Sequence, residues 1–200
     1  MPNKRPLPHV HRYDVEKYKH VYLPLQQQGW EAIANASDQA DIAAEDAIHS
    51  VGAGNPSFGE VSTFGLTGLH MDAAGDDIGL VWPIPFDCDV KSKIEFRVWW
   101  SSASSTTTDT FTWKVLYTEI TPDAEALAAG ATDLNTAIAA DTLLGANYLQ
   151  KTAWGILNGG TLTNDRVLAL LVELDATTAT LGSEATYGYI LEIRYVRRAL

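Results

Sequence analysis

The sequence predicts a mainly β protein: an antiparallel β-sandwich of the jelly-roll kind, with an extended N-terminal arm and short helical excursions. Three observations predict it. From about residue 58 onward, apolar side chains recur with period two in six or seven separate segments. The loops between them are uneven and follow no strand–helix–strand rhythm, which argues against a parallel α/β sheet. One segment, "RVLALLVELD" (166–175), is apolar on both faces, which suits a central strand of a covered sheet. A chain of 200 residues, 46 % hydrophobic, can bury such a core unaided. Its single cysteine, Cys88, excludes an intrachain disulfide.

Residues 1–29 read as an arm. Pro2, Pro6, Pro8 and Pro24 keep the backbone extended and short of donors. Leu7, Val10, Tyr13, Val15, Tyr18, Val21, Tyr22, Leu23 and Leu25 are too apolar for a freely solvated tail, so the arm is expected against its own body or a neighbouring subunit. Residues 30–50 favour a helix: alanine is plentiful, and Trp30, Ile33, Ala34, Ala40, Ala44, Ala47 and Ile48 fall near one stripe. "VGAGNPSFG" then breaks the pattern. The division is therefore 1–57, arm plus helix-prone attachment segment, and 58–200, sandwich body.

In the body, alternation runs through Val61–Leu69 and resumes at 78–86, where Pro83 and Pro85 place a strand end at a sheet edge. "KIEFRVWW" puts Ile94, Phe96, Val98 and Trp100 on one face, and Glu95, Arg97 and Trp99 on the other. "FTWKVLYTEI" opposes Phe111, Trp113, Val115 and Tyr117 to Thr112, Lys114, Leu116 and Thr118. These two strands read as neighbours joined by the polar loop "SSASSTTTD", which is too long for a two-residue hairpin. Residues 121–145 read as one or two short Ala-rich helices, with Thr121 as cap and Pro122 in the first turn. Strands follow at 148–158, 166–175 and 187–198. In the last, Tyr187, Tyr189, Leu191, Ile193 and Tyr195 share a face, opposite Glu192 and Arg194. The long loops and the helical excursion favour a jelly roll over an immunoglobulin plan.

Charge is uneven. Residues 1–20 hold five basic side chains against two acids, residues 21–90 hold eleven acids and no Lys or Arg, and the whole chain stands at −11. An acidic chain is a poor nucleic-acid binder. The basic tip suits docking on an acidic protein surface. No run reaches the roughly 18 apolar residues of a membrane span, and the N-terminus has no apolar stretch of a secretory signal. Assembly in the cytoplasm, with no membrane partner, is the expectation.

Chemistry-bearing patterns are sparse. "GAGNPSFG" follows a helical stretch rather than a strand, so it is a loop and not a phosphate cradle. His9, His11 and His20 stand near one another in sequence, but exposed arm histidines are the better reading than a metal site. Asp72, Asp76 and Asp77, and Asp87 with Asp89, are raw material for calcium without an EF-hand pattern; solvated turns are the better reading. Glu95, Glu119, Glu173 and Glu192 lie in strands; two on one face would suit a glycosidase, yet each also fits a cross-strand pair with Arg97, Lys114 or Arg194. Two flanking aspartates raise the Cys88 pKa rather than lower it. No catalytic, metal or cofactor residues are assigned, and an enzyme is not expected.

The stretches "WPIPFDCDVKSKIEFRVWWSSAS…DTFTWKVLYTEI", "LQKTAWGILNGGTLTNDRVLALLVELDA" and "YILEIRYVRR" resemble virion proteins of tailed bacteriophages, of the jelly-roll decoration (cement) or head-fibre type. The resemblance covers about residues 80–198. It implies a structural protein on the capsid exterior, a homotrimer bound to the major capsid protein through its N-terminal part. On that reading Lys4, Arg5, Arg12, Tyr13, Tyr18 and Tyr22 of the arm contact capsid or subunits. Trp99 is expected on the sheet's outer face, against the helical excursion or another subunit, with Trp100 in the core. The alternative is a receptor- or glycan-binding module of a head or tail fibre, with exposed indoles as the platform.

Overall fold

A computed structural model describes residues 18–25, 57–61, 66–71, 74–75, 77–123, 135–157, 162–163, 165–180 and 186–198. Lys4, Arg5, Arg12 and Tyr13, the helix-prone segment 30–50, and Asp72 and Asp76 lie outside them. The strands are β1 (Tyr18–Pro24), β2 (Ser57–Val61), β3 (Leu66–Met71), β4 (Asp77–Pro83), β5 (Ile94–Ser102), β6 (Thr110–Ile120), β7 (Asn135–Thr142), β8 (Gln150–Lys151), β9 (Gly155–Leu157), β10 (Val167–Thr177) and β11 (Thr186–Val196).

They form two antiparallel sheets. The larger runs β2-β3-β11-β5-β8, with β1 also on β11 and β9 also on β5; the smaller runs β4-β10-β6-β7. From β3 onward, β3, β11, β5 and the β8/β9 pair stand opposite β4, β10, β6 and β7. This is the two-sheet order of a jelly roll, as the sequence predicts. Period two gives each sheet one apolar face, and the two faces meet in a single core. Phe96, Val98 and Trp100 from β5 and Phe111, Trp113 and Val115 from β6 are all fully buried there. The Trp100 and Phe111 rings lie 4.4 Å apart across it.

Four expectations are corrected. First, β5 and β6 are not sheet neighbours: they belong to opposite sheets, and the loop 103–109 crosses between them. Second, part of the predicted helical excursion is a strand, since β7 pairs with β6 along its length. There Ala139 lies opposite Trp113, so a small side chain is what the indole leaves room for; tertiary pairing overrides alanine's helix propensity. Third, the segment 148–158 is broken into β8 and β9, which pair with different parts of β5. Fourth, the alternating run 58–69 divides between two antiparallel strands, β2 and β3.

The small residues after Trp100 have a definite use. Ser101 and Ser102 extend β5, and Ser102 and Ser104 are fully buried. Ser104 donates to Asp109 Oδ2 at 2.6 Å, and Thr178 donates to Asp109 Oδ1 at 3.2 Å. The Ser102 carbonyl accepts from Asn147 N, and the Asp109 carbonyl accepts from Leu143 N. Asp109 thus gathers three loops at one end of the sandwich, two through its buried carboxylate and the third through its backbone carbonyl.

Candidate functional site

The outer face of the larger sheet carries the densest polar and aromatic cluster among the described residues. Strand parity builds it. β11 sits between β1 and β5 with Glu192 opposite Tyr22 on one side and Arg97 on the other. One step along, Arg194 lies opposite His20 and Glu95. Acid and base therefore alternate in both directions, and each cross-strand pair closes: Arg194 Nε donates to Glu95 Oε2 at 2.7 Å.

Glu192 is the hub, with no solvent exposure. Arg97 grips it with Nε on Oε2 at 2.6 Å and Nη2 on Oε1 at 3.0 Å. Trp99 Nε1 donates to Oε2 at 2.7 Å, and His20 Nδ1 stands 2.7 Å from Oε1. Burial alone would raise the Glu192 pKa, but the hydrogen bonds from Arg97, Trp99 and His20 and the Arg97 charge outweigh it, and the pKa falls to about 2. The carboxylate is therefore ionised and accepts only, so the facing His20 Nδ1 carries the proton. A carboxylate this acidic and this fully occupied by donors is a weak base; its chemistry is to hold β1, β5 and β11 together.

Aromatic rings cover the charges. The Trp154 ring lies 4.3 Å from the Arg97 guanidinium and 3.9 Å from that of Arg194, stacked over both. Arg194 also lies 5.0 Å from the Tyr18 ring. Trp99 meets the edge of Tyr22 at 6.3 Å and has Lys151 Nζ 4.7 Å above its ring. Trp99 is thus on the outer face, as expected, where it packs against Tyr22 of β1 and Lys151 of β8. Tyr22, 52 % exposed, is the ring of this cluster most open to solvent.

Of the four carboxylates considered for a glycosidase, Glu95 and Glu192 share this face, each held by an arginine, Arg194 and Arg97. Glu173 lies on the outer face of the smaller sheet, paired with Lys114 at 2.9 Å, and Glu119 accepts from Thr163 N. Among the described residues no three His, Cys, Asp or Glu side chains gather as a metal-ligand set. Cys88 is buried, and burial with the nearby Asp87 and Asp89 charges pushes its thiol up to about 12. Asp87 instead ties β1 to the far end of β11: it accepts from Tyr195 at 2.9 Å and pairs with Lys19 and Arg197 at 3.4 Å and 3.2 Å.

Sequence reasoning finds the ion pairs but not the hub. Glu192, Arg97, Glu95 and Arg194 have the right parity for cross-strand pairing. His20 reaches Glu192 across 172 residues of sequence, and no local signal places β1 beside β11. Trp154 covers the cluster from the break between β8 and β9, which the continuous strand expected at 148–158 hides. A scan against protein-family models and a search of curated proteins both find no match for this chain.

Proposed function

We propose that this chain is a structural, non-catalytic virion protein that binds the outer surface of a phage capsid and stabilises it. Its N-terminal arm is the tether, and copies associate with one another on the particle. The observation that carries this reading is the anchoring of the arm. β1 is built into the sheet by seven residue pairs with β11, by the His20–Glu192 contact and by Lys19 on Asp87. A pull on the preceding residues is therefore borne by the sandwich rather than by a hinge. Those residues carry Lys4, Arg5, Arg12 and Lys17 against Asp14 and Glu16, on a chain otherwise acidic, and this polarity suits a neighbouring acidic protein surface. The major capsid protein is the partner, and assembly in the host cytoplasm is the setting. Co-sedimentation with emptied heads of the phage that encodes the chain tests it. The full chain should pellet with the heads, and a chain of residues 18–200 should stay in the supernatant while remaining folded.

A second reading, a glycan-binding module of a head or tail fibre, is favoured by the exposed Tyr22 ring set at right angles to Trp99 beside Lys151. It predicts glycan-array binding that Tyr22→Ala abolishes. Tyr22→Ala that leaves such binding intact removes this face from it.

A further inference from the structure

We propose that one corner of the sandwich, formed by the loops 103–108, 143–149 and 177–180, is the surface through which copies of this chain associate. The β7–β8 loop there exposes Leu144 by 73 %, Tyr148 by 63 % and Leu149 by 60 %. Three large apolar groups in water on one short loop are an unfavourable arrangement unless something covers them.

The loop is built to hold them out. The buried Gln150 side chain accepts from Leu144 N at 2.7 Å and donates to the Thr142 carbonyl at 3.1 Å. Asn147 takes a left-handed φ of 61°, Tyr148 N donates to the Gly145 carbonyl at 3.2 Å, and the Tyr148 ring lies over Gly145, where a Cβ would come within 3.1 Å of it. The tip is thus tied down at its base and at its turn.

Charge selects the occupant. The chain stands at −11, so two copies repel each other, and acid against acid at a contact opposes association. Residues 103–108, 143–149 and 177–180 include no Asp, Glu, Lys or Arg; Asp109, which gathers them, is buried, Asp141 and Lys151 stand only at the border, and the β10–β11 connection carries a single charge, Glu184, further along the sequence. A partner of opposite charge would be met by an acidic surface. A neutral, apolar surface rimmed by threonine and serine hydroxyls is what a second copy of the same acidic chain requires.

This surface rests on the self-association part of the reading above and not on the arm. Sedimentation velocity of the purified full chain, with light scattering, tests it. The wild type should run above the mass of one chain, and raising salt should tighten the association, because salt screens the mutual repulsion. Leu144→Glu combined with Leu149→Glu should drop to the mass of one chain with an unchanged circular-dichroism spectrum. Val81→Glu, placed on the exposed outer face of the smaller sheet, should keep the wild-type mass, as should a chain of residues 18–200. A wild type that runs as one chain overturns the proposal together with self-association. A double variant that keeps the wild-type mass, or an association that salt loosens, overturns this surface alone. Loss of capsid binding by the 18–200 chain at unchanged mass bears only on the arm.

Discussion

Glu192 shows how a buried carboxylate is kept charged on a sheet surface. Removing it from water opposes ionisation, and three donor side chains from the two neighbouring strands, β1 and β5, reverse that. Its folded pKa of about 2 lies below its ordinary value, so it contributes stability that is fully present above about pH 5 and is lost as pH falls toward 2. The gap corresponds to roughly 3 kcal/mol. Asp87 and Asp89, also lowered, add in the same direction. Urea unfolding of the wild type should therefore show a steep loss of stability from pH 5 to pH 2, and Glu192→Gln should be less stable at neutral pH with a shallower acid limb. An unchanged limb in the variant would place the acid sensitivity elsewhere. In the core, Trp100→Ala should lower unfolding free energy by about 3–5 kcal/mol, the usual loss for a fully buried indole. Both tryptophans of the pair at 99–100 are legible as to face, because strand parity is local. Their partners are not: Trp100 meets Phe111 from the opposite sheet, and Trp99 meets a strand from the N-terminus.

At the scale of elements, β1 changes what an arm deletion means. Read from composition alone, residues 1–29 are a single appendage, but Tyr18–Pro24 is an edge strand of the larger sheet and Leu25 is fully buried. A chain starting at residue 18 should unfold within about 1 kcal/mol of the full chain. A chain starting at residue 26 should lose several times that, because it bares the edge of β11 and removes His20 from Glu192. Hydrogen exchange at residues 190–196 should quicken only in the shorter chain; equal exchange in both would mean β1 contributes little. At the β7–β9 contact, a Cβ on Gly155 would lie 2.4 Å from the Phe96 ring and 2.6 Å from the Ile138 carbonyl. Gly155→Ala should thus cost about 1–3 kcal/mol by overpacking, read as a lowered urea midpoint. β4, β5, β6, β10 and β11 are legible within a few residues because alternation and a strong apolar face agree. β7 is not, because alanine signals helix while Trp113 across the pair demands a small neighbour. The bulge at Tyr189 is not legible either. It inserts one residue between Gly188 and Ile190 in the pairing with β5, so Gly188 rather than a tyrosine faces Trp113.

For the whole molecule, the jelly-roll order and the division of charge point the same way. One end gathers neutral loops around Asp109, one sheet face is closed by a cation–aromatic layer, and a basic segment enters the structure at the edge beside that layer. The proposed tethering role rests on this distribution of charge rather than on any motif. The most direct test of the proposed capsid binding is co-sedimentation with emptied heads of the phage that this proposal makes its source, comparing the full chain with residues 18–200. The account predicts saturable binding by the full chain and none by the folded, truncated one. Equal binding by both, or binding by neither, would contradict it.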